Sequence, residues 1–477
     1  MEPALVEAHA PRRRGIAWNS ALLVLAQVSS AVLGLATTLV ISRALGPSPL
    51  GEWQFAAAVS SYLLVVTDAG LSVLAVREIA RNRAATPAFA APVLVVQTAV
   101  AGALYALLLL ALLLSPLPGA VVVLTAVVGA IAFVHALSIG HVFQAFERMG
   151  TIARVAVATQ VSGTGVGIAL LLVTRELVWL AVAQLAAGAV ADALLLRRAR
   201  RAFDVPLRLP SLDAARALLR SGGPFLVAGI ATQLIFNADA ILIEAFRGAH
   251  ALGIYAAAYA IAAQFLLLTA PVLTAAYPRL SAEGDEGSAS LAAALAGTLG
   301  FLVLPVAFVA AALADQLVHA LFGSAFHSSA RLLAIVMALP ALGVYNSVLN
   351  QSLTARGRQG TVMRVALATA AFSVGANLVL LPTVGIVGSA VAVAVAEMLT
   401  AAAFTAVAHA APVLREFAVN ALPAAAAAGA VGVARWLGST PLAANFAIAA
   451  VVYLALAVIA PTPGARRAAV VLRLRRA

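Results

Sequence analysis

Residues 232–261 read TQLIFNADAILIEAFRGAHALGIYAAAYAI. The run is apolar enough to enter a membrane, yet it carries Asp239 and Glu244. A carboxylate in hydrocarbon is expensive and persists only where it faces protein or water. The stretch therefore predicts a membrane-embedded helix with polar work inside it. The rest of the chain has the same character. Of its 477 residues, 63% are hydrophobic and 10% charged, whereas soluble domains carry about 25% charged residues. This is the composition of an integral membrane protein held almost entirely in lipid.

Absences narrow the chemistry. With no cysteine, disulfides, thiolate metal sites and cysteine nucleophiles are excluded. All thirty basic residues are arginine, which removes a P-loop lysine and a Schiff-base lysine. The net charge of +12 would suit a nucleic-acid binder, but the arginines fall mostly between apolar runs. Membrane topology explains them, and no nucleic-acid partner is expected.

Windows of about 20 apolar residues predict an all-α, polytopic protein with about fourteen spans between residues 16 and 460. Placing both termini in the cytoplasm puts twenty-five arginines inside and five outside: Arg43, Arg175, Arg247, Arg331 and Arg435. That bias supports an even number of spans. The first span follows RRR as a signal peptide would, but its apolar run is too long, and it reads as a retained helix.

The opening stretch also carries a repeat. GAHALGIY (248–255) echoes GPSPLGEW (46–53), both fitting Gly-x-x-x-Leu-Gly-x-aromatic at an offset of 202 residues. Both copies lie at an outside turn after the first helix of a half. Such repeats predict two lobes related by an axis along the membrane normal. The expected organisation is a cytoplasmic tail (1–15), a six-helix N-lobe (16–196) and a basic cytoplasmic linker (197–220). A six-helix C-lobe (221–408), two peripheral helices (409–460) and a basic cytoplasmic tail (461–477) follow.

Three segments resemble a known family. They are DAILIEAFRGAHALGIYAAAYAI followed by AAYPRLS, ISRALGPSPLGEWQFAAAVSSYLLVVTDAGL followed by AVREIAR, and LFGSAFHSSARLLAIV. They resemble bacterial polysaccharide (O-antigen type) flippases of the multidrug/oligosaccharidyl-lipid/polysaccharide (MOP) exporter superfamily, over residues 16–408 or so. The resemblance implies a V-shaped twelve-helix core with extra C-terminal helices in the bacterial inner (cytoplasmic) membrane. It implies movement of a polyprenyl-diphosphate-linked oligosaccharide to the outer leaflet by alternating access of a central cationic cavity. The implied partners are that lipid-linked glycan, membrane lipids and polysaccharide assembly machinery. No cofactor is implied. A cation-coupled small-molecule or drug antiporter of the same superfamily is the alternative. A membrane glycosyltransferase would need a large extramembrane loop bearing carboxylates, and the outside loops are short.

A diphosphate calls for arginine, which binds phosphate bidentately. Arg43, at the outer end of the first span, is a candidate contact for the diphosphate on release, and Arg331 is a similar outer candidate. Arg77, in AVREIAR, either guides phosphate at the cytoplasmic mouth or anchors its helix at the interface. Asp68 is expected inside the second span, roughly 13 Å along the helix from Arg77. It serves a cavity or coupling role, or hydrogen-bonds a neighbouring helix. On the seventh span Gln233, Asn237 and Glu244 share a stripe expected to face the cavity, with Glu244 close to water at the outer interface. Asp239 lies deeper, on another face, and is the stronger functional candidate. Glu397, mid-span in AVAEMLT, is a second candidate for a proton or cation site. Asp192 is expected to pair at the interface. His135 and His141 are six residues apart, lack an HExxH pattern and read as structural, so no metal site and no catalytic residue is expected. Pro271, Pro305 and Pro340 are expected to kink their spans.

Overall fold

The computed structural model describes residues 13–203, 210–267, 269–438 and 440–467. Among these residues every regular element is a helix and no strand is present, as the long apolar runs require. Lipid cannot hydrogen-bond a backbone, and a helix satisfies its own.

The first half runs through α1 (Arg13–Leu45), α2 (Pro47–Asp68), α3 (Leu71–Arg81) and α4 (Thr86–Leu114). Three short helices follow: α5 (Gly119–Gly129), α6 (Ile131–Ala136) and α7 (Gly140–Ala145). Then come the hairpin α8 (Met149–Thr174) and α9 (Leu177–Phe203) and the long α10 (Leu212–Leu267). The second half continues with α11 (Ala270–Ala282), α12 (Asp285–Ala312), α13 (Ala314–Phe322), α14 (Ser329–Val336) and α15 (Ala338–Ala355). It ends with α16 (Gln359–Val384), α17 (Ile386–Val407), α18 (Ala411–Ala418), α19 (Ala421–Leu437) and α20 (Leu442–Ile459).

Twelve helices or helix pairs are long and apolar enough to cross a membrane among the described residues. They match twelve of the fourteen expected spans. The other two, 221–246 and 252–277, fall largely on α10. There a bent pair, Phe225–Leu234 and Asn237–Phe265 at 49°, raises the count to thirteen. The departure has a local cause. No loop separates the two expected helices: their junction is marked only by Gly248, at φ 77° and ψ 173°, while the 49° bend lies earlier in α10, between Leu234 and Asn237.

The chain forms two compact units. One comprises residues up to Gly34 and Leu63–Leu226, and the other Leu35–Tyr62 and Val227 onward. In the first, Leu71, Leu74 and Ile79 of α3 pack with Val93 of α4 and with Ile139 and Phe143. In the second, Leu252, Val303, Phe322, Phe326, Leu333 and Tyr345 are buried.

The repeat has a physical basis inside the second unit. Gly46, at φ 90°, separates α1 from α2 as Gly248 breaks α10. A Cβ on Gly51 would overlap the Ala249 carbonyl oxygen and lie 2.9 Å from the Gly253 nitrogen. One on Gly253 would overlap the Pro47 carbonyl oxygen and lie 3.1 Å from the Gly51 nitrogen. Pro47 and Ala249 are themselves 202 residues apart. So are Ser48 and His250, whose Oγ and Nδ1 are 3.4 Å apart. The two copies of the motif therefore meet backbone to backbone about a local twofold, and Leu50 and Leu252 beside them are fully buried.

Prolines behave differently from one another. α12 runs through Pro305. Pro271 lies in the first turn of α11, and Pro340 is the third residue of α15. A proline removes the N–H that would bond one turn back, and both stand just after a break in their expected spans: α10 ends at Leu267 before Pro271, and Met337 interrupts the span Ser329–Ala355 before Pro340.

Replacing Gly253 with alanine is expected to lower the thermal midpoint and the yield of folded protein, as overpacking costs about 1–3 kcal/mol. Gly102→Ala, which meets open space, should change neither. Thermal unfolding of the purified variants, read by intrinsic fluorescence, makes the comparison.

Candidate functional site

Two buried polar clusters stand out, one in each unit. In the first, Asp68 is the last residue of α2, not a mid-helix residue. Ala69 and Gly70 after it have positive φ, 48° and 72°, so the expected second span is broken there. The Asp68 carboxylate accepts hydrogen bonds from Ser72 of α3 and from Gln97 Nε2 of α4, at 3.0 Å. His135 of α6 brings Nε2 to 3.7 Å from the same oxygen. Three elements thus converge on one carboxylate, as the hydrogen-bonding alternative for Asp68 expected. Arg77 is not among its partners. It is half exposed and pairs with its neighbour Glu78 at 2.8 Å. Asp192 of α9 faces Ser138 and His135, and among the described residues it makes no ion pair with the arginines that follow it. His141 is 3% exposed, with neither ring nitrogen hydrogen-bonded.

The second cluster is built on Asp239, the deeper acid of the opening stretch. Asp239 is 8% exposed. Its Oδ2 accepts from the Tyr255 hydroxyl at 2.6 Å, and its Oδ1 accepts from the Ala240 N–H at 2.8 Å. Tyr255 lies beyond the Gly248 break, so the bond ties together the two segments that the break separates. Tyr255 stacks on Tyr259 at 6.1 Å, and Tyr259 is within electrostatic reach of both Asp239 and Glu397. Glu397 of α17 accepts from Asn346 Nδ2 of α15 at 2.6 Å. Tyr259 is thus the one side chain that senses the charge of both Asp239 and Glu397 among the described residues.

Glu244 departs from its expected place. It is as buried as Asp239, at 8%, and its Oε2 has no hydrogen-bond partner. The stripe drawn through it divides accordingly. Gln233 donates to the Ser61 carbonyl at 2.8 Å and accepts from Asn237 at 3.0 Å, while Tyr62 donates to its backbone carbonyl. Gln233 therefore fastens α10 to α2, and Asn237 holds the Gln233 side chain from within α10.

The outer arginines have a common employment. Arg43 donates to the Leu321 carbonyl at 2.8 Å and to that of Ala320, at the end of α13. Arg247 donates to Leu381 and Pro382 at the end of α16. Arg435 donates to Ala312, the last residue of α12, and pairs with Asp315. A helix ends in four unpaired carbonyls and a partial negative charge, and a guanidinium answers both. Three of the five exceptions to the inside bias are thus helix caps. Arg331 is exposed, with no hydrogen bond or ion pair among the described residues.

Tyr255, Tyr259, Asn346, Gln97 and His135 complete these clusters and were not singled out as site residues from the sequence. Gln97 left a signal, as a lone amide in an otherwise apolar span. The tyrosines left none, because an aromatic residue in a membrane helix is ordinary. No group of three or more metal-ligating side chains occurs among the described residues.

Comparison with known proteins follows the same lines. The profile of a family described as "Polysaccharide biosynthesis protein" matches residues 16–282. The probable low-salt glycan biosynthesis flippase Agl15 of Haloferax volcanii is 24% identical over 197 residues, which span 40% of this chain and 42% of that protein. The lipid II flippase MurJ, in an inward closed conformation, superposes with a TM-score of 0.79 at 13% identity, over 91% of this chain and 97% of that one. An inward-facing multidrug resistance MATE family transporter of the MOP superfamily gives 0.59 at 18% identity, over 83% and 94%. A MOP superfamily transporter from Pyrococcus furiosus gives 0.57 at 17% identity, over 85% and 96%. Identities this low speak for the fold, which is of the MurJ and MATE kind.

Tyr255→Phe removes one hydrogen bond and leaves the Asp239 carboxylate short of a donor, which costs about 1–3 kcal/mol. The variant should melt earlier than wild type, and Tyr255→Phe with Asp239→Leu should recover part of the loss. A double-mutant cycle of thermal midpoints checks the coupling, and additive effects would refute it.

Proposed function

This chain belongs to the polysaccharide biosynthesis protein family, and we propose that it is a flippase for a polyprenyl-diphosphate-linked oligosaccharide. In this reading it works in a bacterial cytoplasmic membrane with both termini inside, and moves its substrate to the outer leaflet by alternating access. The observation that carries the proposal is the pattern of acids set inside an otherwise apolar bundle, Asp239 buried and Asp68 and Glu397 partly so. Asp68, Asp239 and Glu397 each sit against side chains that are neutral or, for His135, titratable, and among the described residues none is paired with arginine. Such groups are costly in a membrane and are kept for ion or substrate movement. A structural ion pair would have put arginine beside them.

Asp239 and Glu397 are the proposed coupling residues. A cation or proton that binds there in one conformation and leaves in another shifts the equilibrium between the two by its difference in affinity. Arg331, with its donors uncommitted, remains the outer candidate for the diphosphate. Arg43 has its guanidinium on helix carbonyls, and engaging phosphate would require it to release them. Arg77 is exposed and remains a candidate at the inner mouth. Polysaccharide assembly machinery is the natural recipient of the product.

The same acids also favour a second reading, a cation-coupled small-molecule antiporter, and one experiment separates the two. In a deletion strain the flippase reading expects lipid-linked glycan to accumulate on the cytoplasmic side, with unchanged drug susceptibility. An unchanged glycan pool with increased drug susceptibility would reverse the assignment. Complementation with Asp239→Asn or Glu397→Gln, at normal membrane levels, should restore less than about a tenth of wild-type flux, each tenfold being about 1.4 kcal/mol of barrier.

A further inference from the structure

We propose that a separate site for a phosphate-bearing ligand lies in the cavity walled by Arg356 and Arg415, at the foot of the C-terminal helices. The cavity encloses about 900 Å³ and lies wholly within the second unit. Its wall comes from the start of α12, the end of α15 and the α17–α18 turn, and it includes Ser290, Ser352 and His409. The arginine bias assigns this face to the cytoplasm.

Arg356 carries the argument. Its side chain is only 13% exposed. The Nε edge is held in place, 3.3 Å from Ser288 Oγ and 3.8 Å from Asp285 Oδ1. Ser288 is itself fully buried and sits 3.4 Å from Ser352. The two terminal nitrogens have no protein acceptor among the described residues. A guanidinium offers five donors in a rigid fork that matches phosphate oxygens. Here one edge is fixed by protein and the rest meets a void. Nearly buried charge without full compensation is costly, and an anion in the cavity would compensate it.

Arg415 adds a second cation from α18. It is exposed and makes no hydrogen bond or ion pair among the described residues. The opposing charge is small. Glu416 is already paired with Arg467 at 3.1 Å, and Glu286 is exposed on the wall. His409 contributes a further donor from a left-handed turn, at φ 49°. Asp285, itself largely exposed, engages only the Nε edge of Arg356, so its terminal nitrogens and the Arg415 guanidinium, set against the exposed Glu286, select an anion with several oxygens. A phospholipid headgroup and a small soluble phosphate share that chemistry. The site does not depend on the transport reading, because its assay involves no transported substrate.

The test uses the purified full chain in neutral detergent micelles. Inorganic pyrophosphate is titrated by calorimetry, and retention of added phosphatidylglycerol is read by native mass spectrometry. Saturable binding of pyrophosphate identifies a soluble ligand. Retention of phosphatidylglycerol alone identifies a headgroup. Either outcome supports the site if Arg356→Gln and Arg415→Gln each weaken binding by about tenfold or more, as loss of a charge-assisted pair should. Arg358→Gln, exposed and outside the wall, should bind as wild type. Arg415 is exposed and makes no hydrogen bond or ion pair among the described residues, so its loss separates binding from folding. Failure of both probes to bind, or equal binding by wild type and Arg415→Gln, overturns the proposal.

Discussion

Hydrocarbon offers no hydrogen bonds, so each polar group that enters the bilayer must find its partner inside the protein. Much of this structure follows from that constraint. It explains why the chain is helical throughout its described length. It explains why Asp68 draws Ser72, Gln97 and His135 from three different helices. It also accounts for Tyr255 reaching back across the Gly248 break to Asp239. The same demand operates at helix ends, where Arg43, Arg247 and Arg435 answer the carbonyls that α13, α16 and α12 leave open.

A second demand comes from close approach. The two copies of the glycine motif meet where Gly51 and Gly253 bring backbone against backbone. Packing in membranes relies on such small-residue contacts, because burying apolar surface away from lipid gains little. The contact joins helices from the two halves of the sequence inside one compact unit. The repeated motif is therefore also the surface on which its two copies meet.

Much of this was legible in the chain. Apolar length placed twelve helices within a few residues, and the 202-residue offset identified the glycines that touch. Spacing also separated Asp239 from Gln233 and Asn237, which proved to have different partners. Other readings failed for local reasons. Asp68 looked mid-helix because hydropathy does not register a two-residue break such as Ala69–Gly70. Glu244 looked wet because counting residues along a helix measures depth, not what lies alongside.

The sequence by itself determined that this is a helical membrane protein, cysteine-free and lysine-free, with a repeated glycine motif and a few acids kept at a cost in lipid. Those properties follow from composition and periodicity, which act locally along the chain. Only the tertiary structure decided the company those acids keep. It joined Asp239 to Tyr255, Glu397 to Asn346 and Asp68 to His135, and it turned three outward arginines into caps. A partner on another helix can come from almost any distance along the chain, and no local pattern encodes which one will arrive.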